Sequence, residues 1–319
     1  MGDSDSTADG IESIDDGQLA DWLLRIRREP GLSNREIGAA GLRAASRSRV
    51  SSRPQGPELT EVRDLVTDDG LPARLYRPAR EPRPAVLYLH GGGFVFGDLD
   101  SHDAICRRLA QTADTTVLAL DYRLAPEHAA PAAVDDAVST ALWLERNLSQ
   151  LGGDIRHGVA LAGDSAGGTI ALLAAIRLTA MNRTPSCLLL AYPNTDLTLS
   201  QQSVKDKGTG WGLNVDDMEW FIEQWVPDTE QRTDATVSPL YAELSGLPST
   251  LLATAEHDLL RSEGTMLGTR MRECGVNVDR VDYAGLVHGF LGLGHVSTAA
   301  AAAGQDLFER FHRLRQNLS

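Results

Sequence analysis

From about residue 57 onward, short continuously apolar runs alternate with longer stretches of helical spacing. Glu61 to Val66 and Ala73 to Tyr76 flank an Asp69-Gly70 turn signal and read as two strands. Pro84 to His90 (PAVLYLH), Thr115 to Asp121 (TTVLALD), Gly158 to Ala162, Ser186 to Tyr192 (SCLLLAY) and Ser249 to Ala255 (STLLATA) read as buried strands. Val276 to Tyr283 closes the set. Helical patterns at Ala104 to Gln111, Val134 to Leu148, Ala166 to Thr179, Ser262 to Glu273 and Ala299 to Leu318 separate most of them. Strands apolar on both sides, alternating with helices, predict a mostly parallel eight-stranded sheet with helices on both faces. The run Thr298 to Ala303 (TAAAAA) reads as the start of the last helix.

Between Pro193 and about Thr236 the alternation stops. This interval holds Trp211, Met218, Trp220, Phe221, Ile222 and Trp225, with a helix expected over Val215 to Trp225. It reads as an insertion that packs with helical residues 18 to 50 as a lid; one more core helix is the alternative. Residues 1 to about 17 are acidic and polar and are expected to be disordered. Ser51 to Pro57 (SSRPQGP) reads as a linker. The expected organisation is a tail and cap helices over 1–56, a catalytic domain in two parts over 57–196 and 237–319, and a cap insertion over 197–236.

Composition narrows the function. Hydrophobic residues make up 42% of the 319 positions, enough for a large core, and the net charge is -14. A nucleic-acid binder would present a basic face, and no such cluster is seen; Arg25 to Arg28 (RIRR) reads as a solvated helix face. Cys106, Cys187 and Cys274 are odd in number and lack paired spacing, against a disulfide framework or a zinc site. Seven acidic residues precede the first basic one, Arg25, which is unlike a secretory leader, and no run of 18 apolar residues occurs. A cytoplasmic protein without a membrane span is expected.

The chemistry concentrates at Gly163 to Gly168 (GDSAGG), between an apolar strand and a helix. Glycine disfavours helix interiors by roughly 1 kcal/mol, so its density here needs a cause. Strand, G-x-S-x-G and helix in that order form a nucleophile elbow. The turn is strained, its neighbours must lack bulk, and Ser165 is lifted out at a helix N-terminus that favours developing negative charge. Serine needs a base, and the base needs a carboxylate. In this fold they follow in the order Ser, acid, His. His288 (VHGF) after the last strand is the candidate base; His295 reads as structural. Asp258 is the candidate acid, with Glu256 its rival. Asp279 and Asp282 lie within a strand and are expected to face solvent. His90-Gly91-Gly92-Gly93-Phe94 can aim backbone N–H groups at an oxyanion, and phosphate-loop patterns are absent.

At these residues the sequence resembles the hormone-sensitive-lipase family (bacterial branch) of α/β-hydrolase esterases. HGGGF at 90–94, DSHDAICRRLA at 100–110, DYRLAPEH at 121–128, GDSAGG at 163–168, SGLPSTLLATAEHDLLRSEG at 245–264 and HGF at 288–290 carry the resemblance. It spans about residues 60 to 290. It implies an α/β-hydrolase fold with a two-part helical cap, Ser165 as nucleophile, Asp258 as acid and His288 as base. It also implies an oxyanion hole from Gly92, Gly93 and the N–H of Ala166. Hydrolysis of short- and medium-chain acyl esters follows, without cofactor or metal, in a monomer or homodimer. Two positions depart from the family pattern: Leu259 stands where proline follows the acid, and Ala129-Ala130-Pro131 replaces Pro-Phe-Pro. Asp121, Arg123 and Glu127 are expected to form an ion network, and Asp164 and Asp196 to act as hydrogen-bonding scaffolds. Trp211, Trp220, Phe221 and Trp225, with Trp22, are candidates for lining the pocket or for plain lid core.

A serine carboxylesterase acting on a small-molecule ester is the first reading. An amide or lactone hydrolase, or a lyase, on the same site is the alternative. A non-catalytic receptor for a small ligand fits less well, because His288 is present. A lipase working at oil surfaces would need an exposed amphipathic segment, and none stands out.

Overall fold

The computed structural model describes residues 10–11, 14–29, 31–51 and 54–318. Most of the segment expected to be disordered, and Ser52 and Arg53 of the expected linker, lie outside the described residues. Its described part is ordered, against expectation. Ile11 is buried. Asp16 caps helix α1 (Gly17–Arg28) by accepting from the N–H groups of Gln18 and Leu19. The other carboxylate oxygen of Asp16 accepts from Ser297 Oγ at 2.8 Å and Ala299 N at 2.9 Å, at the start of the last helix. The apolar Ile11 and Ile14 find a hydrophobic cluster in the fold, which polar composition alone does not reveal.

Eight strands form one sheet: β1 (Glu61–Val66), β2 (Pro72–Arg77), β3 (Ala85–Leu89), β4 (Thr116–Leu120), β5 (Val159–Asp164), β6 (Leu188–Ala191), β7 (Thr250–His257) and β8 (Val278–Val287). Their spatial order is β1-β2-β4-β3-β5-β6-β7-β8. β2 runs antiparallel to β1 and β4; all pairs from β4 to β8 are parallel. Each central strand feeds both faces, as a period of two requires. Leu87 and Leu89 of β3 and Leu161 of β5 enter one core, and Val86, Tyr88, Ala160 and Ala162 the other. The first core is covered by α4 (Ala132–Asn147), α5 (Ala166–Ala180) and α8 (Arg261–Glu273). The second is covered by α3 (Asp103–Thr112) and α9 (Thr298–Gln316). This is the doubly covered, mostly parallel sheet read from the sequence.

Helix α2 (Asn34–Val50) opens on a capping box, in which Ser33 and Glu36 satisfy each other's backbone N–H groups. The interval after β6 folds into a short α6 (Gln202–Lys207), which the apolar pattern does not reveal, and α7 (Val215–Trp225), at the expected bounds. α7 and the loop before it meet the N-terminal helices: Arg35 pairs with Glu223 of α7 at 2.8 Å, and Arg27 Nε donates to the Gly210 carbonyl of the loop at 2.7 Å. Its inner side chains, Met218, Phe221, Ile222 and Trp225, join the first core.

Candidate active site

The loops at the carboxyl ends of β3, β5, β7 and β8 converge above the sheet. Between β5 and α5 the chain reverses at Ser165, whose φ of 52° and ψ of -124° lie where an L residue is strained. The turn admits no bulk. A Cβ on Gly163 would come within 2.4 Å of the Gly167 backbone, and one on Gly167 within 2.0 Å of the Leu89 carbonyl. Gly167 is therefore the contact point between the elbow and the end of β3, and Gly163 a contact point within the elbow itself.

Ser165 Oγ lies 2.8 Å from His288 Nε2. His288 Nδ1 lies 2.8 Å from Asp258 Oδ2. Asp258 is buried, and its other oxygen accepts from the Leu260 N–H at 2.8 Å. A carboxylate at Nδ1 requires the proton there, which leaves the Nε2 lone pair facing the serine. Glu256 instead accepts from the Gly285 N–H. Asp282 binds Arg261 and Thr254, and Asp279 lies 3.8 Å from Arg310. The three residues chosen from the sequence are thus the ones brought together. Leu259 is buried, and its carbonyl accepts from Ser203 Oγ at 2.6 Å, so α6 braces the acid loop at the position that departs from the family pattern.

The glycine loop after β3 faces the same point. Gly92 and Gly93 have φ of 129° and 58°, and a Cβ on Gly92 would meet the Phe96 carbonyl at 2.0 Å. The N–H groups of Gly92, Gly93 and Ala166 donate to no partner among the described residues. Ala166 is the first residue of α5, where an N–H has no intrahelical acceptor. Gly91 N instead donates to Asp164 Oδ1 at 3.0 Å. That buried carboxylate also accepts from Tyr88 OH at 2.7 Å and has His102 Nε2 at 3.6 Å. Burial alone would raise the Asp164 pKa, but the charge and hydrogen bond of His102, with that of Tyr88, carry it below the usual range. Asp164 therefore holds the glycine loop against the elbow, as a scaffold. Asp196, the other expected scaffold, is buried and accepts from Thr198, Gln201 and Tyr241. His90 stacks on Tyr122 with ring centroids 4.3 Å apart, and burial pushes its pKa down to about 4. Its imidazole is neutral and structural.

A cleft of about 210 Å³ opens over Ser165, Gly92, Gly93 and His288. Its outer wall is Leu213, Met218 and Phe221, with Ser46 from α2. Of the aromatics proposed from the sequence, Phe221 lines it. Trp225 is buried, stacked on Phe94 at 3.9 Å, and Trp211 lies flat on His257 at 4.1 Å. Trp22 and Trp220 are not in the cleft wall. Trp220 is buried in the first core, and Trp22 packs against the second. The expected network of Asp121, Arg123 and Glu127 is also corrected. Arg123 pairs with Asp136 at 2.6 Å, and Glu127 pairs with Arg43 of α2 at 2.6 Å. Asp121 takes part in neither, and burial lifts its pKa to about 6. The partners Asp136 and Arg43 lie outside the DYRLAPEH stretch, where motif spacing carries no information about them. His102 and Ser46 were also missed as cleft residues.

The sequence model of the family described as alpha/beta hydrolase fold matches residues 86–292. The carboxylic ester hydrolase LipN of Mycobacterium tuberculosis is 37% identical, over 97% of this chain and 86% of that protein. The ethyl acetate hydrolase of Pseudomonas putida is 36% identical, over 79% of this chain and 81% of that protein. Among solved structures, an ester hydrolase from the metagenome of Lake Arreo superposes with a TM-score of 0.87 at 31% identity, covering 93% of this chain and 98% of that one. The esterase of the archaeon Pyrobaculum calidifontis gives 0.79 at 34% identity, covering 88% and 94%. Among the described residues no helix is long and apolar enough to cross a membrane. With the fold, the strained serine elbow and these relatives in agreement, the chain belongs to the α/β-hydrolase family, in its hormone-sensitive-lipase-like group of carboxylesterases.

Proposed function

We propose that this enzyme hydrolyses short- to medium-chain acyl esters with Ser165 as nucleophile, His288 as base and acid, and Asp258 as the carboxylate that orients His288. The observation that carries the reading is the relay of two 2.8 Å contacts, Asp258 to His288 and His288 to Ser165. His288 Nε2 takes the Ser165 proton as Oγ attacks the ester carbonyl. The carbonyl oxygen becomes an oxyanion and accepts from the N–H groups of Gly92, Gly93 and Ala166. Asp258 stabilises the imidazolium and keeps its proton on Nδ1. His288 then gives the proton to the leaving alkoxide, and the alcohol departs. Water, deprotonated by His288, repeats the attack on the acyl-enzyme and frees Ser165 and the acid.

In this reading residues 1–56 and 197–236 supply a cap over the two-part catalytic domain (57–196 and 237–319). The contacts Arg35–Glu223 and Arg43–Glu127 support that division. The small cleft and its apolar wall of Leu213, Met218 and Phe221 support a small ester. A cytoplasmic setting and a monomer or homodimer belong to the same proposal; cell fractionation and size-exclusion chromatography test them.

The test is a p-nitrophenyl ester ladder from acetate to dodecanoate with wild type and Ser165→Ala. Turnover that peaks at short chains and vanishes in the variant is expected. Wild-type turnover retained by Ser165→Ala would refute the assignment.

A further inference from the structure

Among the described residues Arg108 has no ion-pair partner. On the same helix, its neighbour Arg107 pairs with Asp103 at 2.6 Å. No carboxylate lies within 4 Å of the Arg108 guanidinium among the described residues, although acidic residues outnumber basic ones 44 to 30. Its Nη2 donates to the Leu291 carbonyl at 2.5 Å, while its buried Nε has no partner among the described residues. A half-buried cation retained without a counter-ion is costly unless something supplies the charge.

Arg108 lines a hollow of about 200 Å³ whose wall includes Gln55, Pro57, Ala104, Gly294 and His295. Ser101, Ile105 and Gly292 belong to that hollow and also to the cleft over Ser165. The boundary is made partly of small residues, and a Cβ built on Gly292 meets no atom within 4 Å. The two spaces therefore adjoin at an open point.

We propose that Arg108 is the far end of a second arm of the Ser165 cleft, and that it binds the carboxylate of an ester that carries one. This rests on the ester-hydrolase reading and names its substrate class. A guanidinium offers fork-like donors that match a carboxylate, and charge-assisted hydrogen bonds are the strong ones. The mostly apolar walls suit a carbon chain between the scissile ester and the anion. The carboxylate can lie on the acyl part, as in a dicarboxylic hemiester, or on the alcohol part, as in an acylated hydroxy acid.

The experiment compares kcat/KM for two matched pairs at neutral pH. p-Nitrophenyl hydrogen adipate against p-nitrophenyl hexanoate places the carboxylate on the acyl side. Acetoxyhexanoate against hexyl acetate places it on the alcohol side. In at least one pair, Arg108→Gln should lower the charged-to-neutral ratio about tenfold, mainly through KM. Arg108→Lys should recover part of it. Gly292→Leu, which narrows the opening without touching the charge, should lower the same ratio. A ratio unchanged in both pairs by Arg108→Gln and by Gly292→Leu would overturn the proposal and leave Arg108 as a strut for the Leu291 carbonyl. If wild type hydrolyses none of the four esters, the ester reading falls and this proposal with it. If it hydrolyses the neutral pair members alone, only the proposal falls.

Discussion

The ring of Phe221 in α7 lies against the backbone of Gly93, so closely that a Cβ on that glycine would come within 2.4 Å of it. A residue after β6 therefore shapes a loop that follows β3, 128 positions earlier in the chain. Phe221 also contacts the Phe96 ring, with centroids 5.8 Å apart.

Gly93→Ala should lose activity, because the new methyl group meets Phe221 and because φ of 58° is strained for alanine. Phe221→Ala should shift the chain-length optimum on the ester ladder upward by enlarging the cleft. The double variant Gly93→Ala/Phe221→Ala should recover part of the loss in kcat, since one of the two causes is gone. Equal activity of the single and double glycine variants would show that backbone strain alone is responsible.

Asp258→Asn should reduce kcat by roughly 10³- to 10⁴-fold with little change in KM, by favouring the wrong imidazole tautomer. Steady-state kinetics on one short ester measure this. A loss below about tenfold would mean that another group orients His288.

Glu263 makes a separate test of buried electrostatics. Its side chain is wholly buried, and Oε1 accepts from Asn194 Nδ2 at 3.0 Å and from the Thr195 and Asp196 N–H groups. Burial pushes its pKa well above the ordinary carboxylate value, against the hydrogen bonds from Thr195, Asn194 and Asp196. Glu263→Gln keeps the acceptor and should unfold in denaturant near the wild-type midpoint. Glu263→Ala strands those donors and should cost about 1–3 kcal/mol. A glutamine variant as unstable as the alanine one would show that the carboxylate is charged in the fold.

The His90 pKa, lowered by burial to about 4 from 6.5, sets a sign for stability against pH. Between these values the unfolded chain binds the proton and the folded one does not. Stability therefore rises with pH across that window and falls as pH drops toward 4. The contribution is at most about 3 kcal/mol. Urea unfolding at pH 4.5 and 7 should show a smaller difference for His90→Gln than for wild type. An unchanged difference would place the slope on other groups.

Much of the site is legible before folding because its demands are local. A serine between a buried strand and a helix, with glycine two residues to either side, describes a turn that can be read along one stretch of chain. The same holds for three glycines ending a strand and for a histidine just past the last one. Less legible are the roles set by distance. Arg123 meets Asp136 rather than Asp121 or Glu127, and Glu127 meets Arg43, because charges pair with whatever the packing brings near. Five bulky aromatics were candidates for one pocket, and packing left room on its wall for Phe221 alone among them.

By itself, then, the sequence determined the strands and the longer helices, the elbow, and the order of serine, aspartate and histidine, since periodicity and motif spacing are properties of neighbouring residues. Tertiary structure alone decided the strand order, with β4 beyond β3, the placement of Phe221 on Gly93, and the isolation of Arg108 from every carboxylate among the described residues. Those depend on burial and on contacts between residues far apart in the chain, where a side chain's chemistry is fixed by its neighbours in space rather than by its neighbours in sequence.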